Sequence, residues 1–364
     1  MKILFLGSFI SDEFAERVED LSAAGNQFQY NLYCSLSKDN ETCALCYLPI
    51  HFERTNEIND RLMQENIEIF LPKEKNIIKE LYKIKMRIRS LGKNVDCIIS
   101  YNVQYPWLHV KSKAKKVLVL ADYTPVREEK GLLKKIYAYL IQKSFKQYDK
   151  IVVLSEGSKK YVQSLQECTV VHGCIKWENF QHFQKPYKNR NIVFLYAGVL
   201  NRITGVDLLL KAFMKTKNAN YRLVLCGQGK ELDKQIKKAV EMDSRISFIG
   251  YVPKNDYLHL LEKANVVVNP RNMCYQQNTY NFPSKILEYL ASGRIIVSTK
   301  FRGWEEFLEN IDFVESDVES LYRGLERAAD LVCSDETRIY EMNRAYARTL
   351  TWDACKEKFL PRAL

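Results

Sequence analysis

Residues 280–293, Tyr-Asn-Phe-Pro-Ser-Lys-Ile-Leu-Glu-Tyr-Leu-Ala-Ser-Gly, hold the residue types and spacing best suited to chemistry. Pro283 fits the first turn of a helix, where a missing N–H is no loss. Ile286, Leu287, Leu290 and Ala291 continue with helical spacing, and Gly293 is a stop signal. A helix amino terminus presents unpaired N–H groups and partial positive charge, so it can hold a phosphate. Ser284 and Lys285 fall at that end. Glu288, four residues after Ser284, shares its face one turn deeper. A carboxylate there can accept two ribose hydroxyls. Together these features describe a nucleoside diphosphate site, although an amphipathic helix with a surface glutamate has the same pattern.

Other positions carry weaker signals. Gly227 and Gly229 lie between a strand and a helix, as in a phosphate-binding turn or a plain strand-to-helix turn. Asp122 follows the apolar run 117–121, which puts a carboxylate at the carboxyl end of a buried strand, for either a ligand contact or a loop cap. Gly7 and Gly25 flank the first loop of the chain, where ordinary turn chemistry competes with close approach of a ligand. His109 and His172 stand near expected strand ends and read more readily as structural. Cys43 and Cys46 form a CxxC, but a structural zinc site needs a second pair that the sequence does not offer. No metal site is expected.

The elements that position these residues follow from hydrophobic periodicity. Short apolar runs at 3–7, 43–48, 97–100, 117–121, 151–154 and 170–173 read as strands. Helical stretches are expected after a polar loop within 13–37, and at 73–91 and 130–147. Residues 176–191 are polar and aromatic without clean periodicity, and read as a linker. Strands then recur at 192–198, 222–227, 246–250, 266–270 and 295–299, with helices at 205–216, 230–242, 254–263 and 284–291. Fully apolar short runs indicate strands buried on both faces, hence parallel sheets. Strand–helix alternation indicates right-handed crossovers. The expected class is α/β, with two doubly wound parallel-sheet domains, 1–182 and 190–344. Ligands are expected at the carboxyl ends of the strands, in a cleft between the domains.

The chain has 364 residues, 46% hydrophobic and 27% charged, as expected of two folded domains. Its first ten residues read as a buried strand rather than a signal peptide. Ten cysteines are too dilute for a disulfide scaffold in a chain this long. The formal net charge of +11 is unevenly spread. Residues 1–72 hold 5 basic and 12 acidic side chains, and residues 73–160 hold 21 and 8. Basic residues interleave with apolar ones there: Lys79, Lys83 and Arg87 with Leu81, Ile84 and Ile88; Lys134 and Lys135 with Leu132, Leu133 and Ile136. This combination suits an anionic membrane surface, unless the apolar residues pack on the sheet and the lysines only solvate it. No nucleic-acid motif accompanies the charge.

The segment PSKILEYLASGRIIVST (283–299) resembles the donor site of retaining glycosyltransferases of family four, whose GT-B architecture places two Rossmann-like domains around a cleft. The resemblance extends to YAGVLNRITGVDLLLKAF (196–213), similar to that family's glycine-containing loop and first helix, and to 223–232 and 246–270. In the first half, SAAGNQFQYNL (22–32) resembles an acceptor-side loop entering a helix, and 121–125 and 151–162 fall beside similar segments.

The resemblance implies a nucleoside-diphosphate sugar as co-substrate, with no other cofactor, and a glycan or lipid-linked acceptor. It also implies a role in bacterial surface-polysaccharide synthesis at the cytoplasmic membrane face. Donor contacts fall to Gly198, Arg202, Gly227, Tyr280, Asn281, Phe282, Pro283, Ser284, Lys285 and Glu288. Acceptor contacts fall to Gly7, Gly25, Asn26 and Asp122, and catalytic roles to Asp122, Arg202 and Lys285. A last helix about 345–364 is expected to complete the first domain. The chain departs from the family in three places. Tyr280 stands where the first of two glutamates is usual, and Val199 and Thr204 stand where phosphate-binding cations are usual. Arg202 and Lys285 are the replacements at hand. A degenerate GT-B scaffold or binding subunit is the alternative these losses keep open.

Overall fold

The computed structural model describes residues 1–17, 22–48, 56–71, 77–102, 112–121, 131–163, 168–185 and 190–361. Asp122 and His109 lie outside them, as does most of the segment 121–125. The chain divides into two compact units, Met1–Cys174 with Trp352–Leu364, and Ile175–Thr351.

In the first unit, strands β1 (Lys2–Gly7), β2 (Glu41–Tyr47), β3 (Ile67–Phe70), β4 (Cys97–Tyr101), β5 (Lys115–Leu120), β6 (Lys150–Val153) and β7 (Cys168–Val170) alternate with helices. The helices are α1 (Ala23–Ser37), α2 (Asn56–Gln64), α3 (Ile77–Leu91), α4 (Leu132–Ser144) and α5 (Glu156–Val162). The strands form one parallel sheet in the order β3-β2-β1-β4-β5-β6-β7. Alternate side chains of β1 explain the burial of both faces. Ile3 and Phe5 pack with Phe9, Leu32 and Leu36, while Leu4 and Leu6 pack with Ile84, Ile88 and Ile98. Each such side chain contributes roughly 1.5–3 kcal/mol on leaving water.

In the second unit, β8 (Ile192–Ala197), β9 (Tyr221–Cys226), β10 (Ile246–Phe248), β11 (Val266–Asn269), β12 (Ile295–Thr299) and β13 (Asp312–Val314) pair in the order β10-β9-β8-β11-β12-β13, again all parallel. The helices are α6 (Val206–Lys215), α7 (Asp233–Met242), α8 (Lys254–Lys263), α9 (Lys285–Ser292), α10 (Val318–Ser334) and α11 (Glu336–Arg348). The strand order reverses between β8 and β11. Open α/β sheets bind ligands at such a switch point, outside the carboxyl ends of the strands.

Three differences from the sequence expectations have physical causes. The division falls between Cys174 and Ile175 rather than within 182–190. Ile175, Phe180 and Phe183 are buried in the core of the second unit. The Arg344 guanidinium donates to the carbonyls of Phe180 and Ala291 at 2.8 and 3.0 Å and lies 4.7 Å from the Trp177 ring centroid. A segment held by aromatic burial and carbonyl capping needs no periodicity. The return to the first unit begins at Trp352 rather than about 345, with α12 (Trp352–Cys355) following the end of α11. Trp352 packs edge-on against Phe28 at 5.1 Å. Finally, β3 and β13 were not expected. Both are edge strands, and only half or less of each is buried.

Candidate functional site

The loops leaving β8, β9 and β11 meet backbone to backbone, and glycines permit it. A Cβ on Gly227 would lie 1.8 Å from the Gly198 carbonyl oxygen, and Gly227 has φ of +138°. The Gly198 amide donates to the Cys226 carbonyl at 2.9 Å, and the Leu200 amide to Gln228 at 3.0 Å. Gly205, with φ of +75°, begins α6 against the carbonyl of Pro270, where a Cβ would come within 1.8 Å. Buried Asn278 ties the same loops together, donating to the carbonyls of Ile203 and Asn272, each at 2.8 Å.

Helix α9 carries the residues singled out in the sequence. Pro283 is buried just before it, and its carbonyl accepts from the Ile286 amide at 2.9 Å. The Ser284 side chain makes no capping bond and is exposed, and Gly293 ends the helix in the left-handed region. The Ile286, Leu287 and Leu290 side chains fix the helix in the core. This burial leaves Lys285 and Glu288, both partly exposed, on the outer face of the first turns.

The Lys285 and Glu288 side chains are paired with each other. The Lys285 ammonium donates to Glu288 Oε2 at 3.0 Å. The Tyr257 hydroxyl, from α8, donates to the same oxygen at 2.6 Å, and the Lys285 Nζ lies 3.8 Å from the centre of the Tyr257 ring. Both lone pairs of Oε2 are engaged, so Oε1 is the oxygen that can accept ligand hydroxyls. Burial, then the nearby Glu288 charge, holds the Tyr257 phenol well above its ordinary pKa, so it remains a donor.

The remaining residues expected on the donor side are distributed unevenly. Gly198 and Gly227 shape the loops. Phe282 is partly buried against Phe301 and Phe307, while Asn281 is exposed. The Tyr280 hydroxyl accepts from Gln276 Nε2 at 3.2 Å. Arg202 is turned toward Glu231, with Nε 3.6 Å from Oε1, on an exposed surface. Arg202, expected as one of two replacement diphosphate cations, thus makes a surface pair in this structure. The Thr204 hydroxyl is held inside its loop, 2.7 Å from the Val199 carbonyl.

Arg271 was missed by the sequence reading. It lies two residues past the end of β11, at the switch point. Its Nη1 lies 3.3 Å from Asn278 Oδ1. Burial lowers its pKa, while neighbouring Tyr196 acts in the opposite sense. An arginine after a strand gives no periodic signal; only the strand order reveals its place.

In the first unit, Asn26 is 2% exposed, and its amide group is used on one residue: Oδ1 accepts from the Ile10 amide at 2.8 Å and Nδ2 donates to the Ile10 carbonyl at 3.1 Å. Its side chain is a clamp on the β1–α1 loop, which corrects its assignment as an acceptor contact. Gln29 does the same for Ser8, with Gly7 leaving space for it: a Cβ there would lie 2.5 Å from Gln29 Oε1. Gly25 sits in the first turn of α1, its amide donating to the capping Ser22 Oγ at 3.2 Å.

Residues 191–330 match the family described as "Glycosyl transferases group 1". Curated protein sequences give no match. Among solved structures, HepE of Anabaena in complex with UDP and glucose is similar at 16% identity, with 98% of each chain covered and a TM-score of 0.68. A glycosyltransferase from Rickettsia africae is 13% identical, covering 98% of this chain and 96% of that one, with a TM-score of 0.71. The lipopolysaccharide outer core galactosyltransferase WaaB is 13% identical over 99% of this chain and 98% of its own, with a TM-score of 0.67. The fold is GT-B, with two Rossmann-like parallel-sheet domains.

Proposed function

We propose that this chain is a glycosyltransferase that moves a sugar from a nucleoside-diphosphate sugar to a glycan or lipid-linked acceptor with retention of configuration, in surface-polysaccharide synthesis. The observation that carries the reading is the arrangement on α9. Glu288 is preset by Tyr257 with Oε1 available, one turn below a helix amino terminus bearing Ser284 and Lys285, beside the switch-point loops. The glycosyltransferase match of residues 191–330 and the UDP and UDP-glucose bound by HepE support it. The name of WaaB supports the polysaccharide role.

In this reading, Glu288 Oε1 accepts the ribose hydroxyls. Lys285, released from Oε2, turns to the diphosphate together with Arg271 and the first amides of α9. These groups are strongest where negative charge grows as the bond from the anomeric carbon to the diphosphate breaks. The acceptor hydroxyl oxygen attacks the anomeric carbon on the face the diphosphate leaves and passes its proton to the departing diphosphate oxygen, which preserves the configuration. Acceptor binding is assigned to the first unit, around the Gly7 and Gly25 loops.

Calorimetric titration with UDP tests the site. Charge-assisted hydrogen bonds contribute about 1.5–3 kcal/mol each, so Glu288→Ala is expected to weaken binding on the order of 10- to 100-fold. Glu288→Gln keeps an acceptor for Tyr257 and reports that the fold is intact. Wild-type affinity in Glu288→Ala contradicts the assignment. Tyr280, Val199 and Thr204, in place of charged family residues, favour a second reading as a non-catalytic binding subunit. Specific nucleotide binding without transfer or hydrolysis of any donor selects that reading.

A further inference from the structure

The first unit presents a surface that the sugar-transfer reading does not use. Helix α4 buries only Ala138 and Ser144, with Ile141 packed beside the core formed by Leu118, Leu120, Ile151 and Val153. On its other side Leu132 is 75% and Leu133 82% exposed, followed by exposed Ile136, Tyr139 and Leu140. At 3.6 residues per turn these five side chains span about 120° of the helix. Lys143 lies within that arc and Lys135 borders it. Residues 131–147 contain four lysines and no acid.

Helix α3 repeats the arrangement. Ile84 and Ile88 pack on the sheet, so for them the plain sheet-packing expectation holds. The exposed stripe is instead Ile78 (80%), Tyr82 and Met86, each four residues after the last. Residues 77–91 hold five basic side chains and one acid. The two helices cover the same face of the sheet. Leu4 on β1 is in register with Ile98 on β4, Ser100 with Leu118 on β5, and Leu118 with Ile151 on β6. Ile84 and Ile88 pack on the first part of that row, and α4 on the last.

We propose that the outer surfaces of α3 and α4 form a membrane-docking face, on which α4 lies in the interface of an anionic bilayer with Leu132, Leu133 and Ile136 inserted. Exposed leucines at the start of a basic helix have the composition of interfacial helices. Lysine stems can run along apolar surface while the ammonium groups reach headgroups. Each basic residue near an anionic surface adds to the attraction and makes it salt-sensitive. A second copy of the chain fits poorly, because pairing these faces opposes lysines with lysines.

Co-sedimentation of the full chain with phosphatidylglycerol-containing vesicles and with pure phosphatidylcholine vesicles, each at low and high salt and without any donor, tests this independently of the nucleotide site. Expected is binding to the anionic vesicles at low salt, reduced at least tenfold at high salt or in Lys134→Glu/Lys135→Glu. A similar loss is expected in Leu132→Ser/Leu133→Ser, whose substituted side chains are already in water and leave the core unchanged. Three results overturn the proposal: no binding to anionic vesicles at low salt, binding that survives the leucine substitutions undiminished, or a dimer by light scattering that the leucine substitutions dissolve without any vesicle binding.

Discussion

Arg271 and Glu288 show how differently two residues of the proposed site enter the sequence. Glu288 is legible because helix spacing places it one turn from Ser284, and Pro283 and Gly293 mark the ends of that helix. Tyr257, its hydrogen-bond partner, is 31 residues away on another helix, and only tertiary packing brings it to Oε2. Arg271 becomes visible only when β11 is known to pair with β8. Its side chain hydrogen-bonds Asn278 and lies near Tyr196, while its carbonyl accepts from Thr299 and Ser316. Arg271→Met is therefore expected to keep the thermal midpoint within a few degrees. Donor turnover is expected to fall roughly 10- to 100-fold, as when an electrostatic stabiliser is removed, with Arg271→Lys recovering part of the rate. Steady-state kinetics with the donor checks this; an unchanged rate removes Arg271 from the site.

At the scale of elements, the buried parallel strands were readable because water is excluded from both faces, which leaves runs such as 117–121 and 192–198 almost wholly apolar. Edge strands escape that constraint. The β3 sequence Ile-Glu-Ile-Phe alternates, and only every second side chain is buried. β13 is followed by three polar residues and has a single buried position. The loops carry a constraint of another kind, since the β8 and β9 loops can touch only where a side chain is absent. Gly227→Ala forces a Cβ into the space of the Gly198 carbonyl oxygen at a φ of +138°. Its expected cost is at least about 2 kcal/mol, seen as a lower midpoint in thermal unfolding and a loss of nucleotide binding through displacement of the Gly198 loop. A variant with wild-type stability and binding would show that the loops can separate at no cost.

Over the whole molecule, the chain builds one sheet, then the second unit, and returns at Trp352 to finish the first, where Trp352 and Phe359 close over Phe28. The general plan was readable from strand–helix alternation, whereas the point of division was not, because residues 175–183 are held by aromatic burial and by Arg344. Among the described residues no helix is long and apolar enough to cross a membrane, and the exposed apolar surface of the first unit gathers on α3 and α4. These features give the two units separate tasks in the proposed reaction, with the nucleotide held by the second. The most direct test is calorimetric titration of the full chain with UDP, GDP and ADP in parallel. The account predicts that one nucleoside diphosphate binds at least about tenfold more tightly than the other two, a difference of about 1.4 kcal/mol, and that Glu288→Ala weakens its binding on the order of 10- to 100-fold. Failure of all three to bind, or binding that Glu288→Ala leaves unchanged, would contradict it.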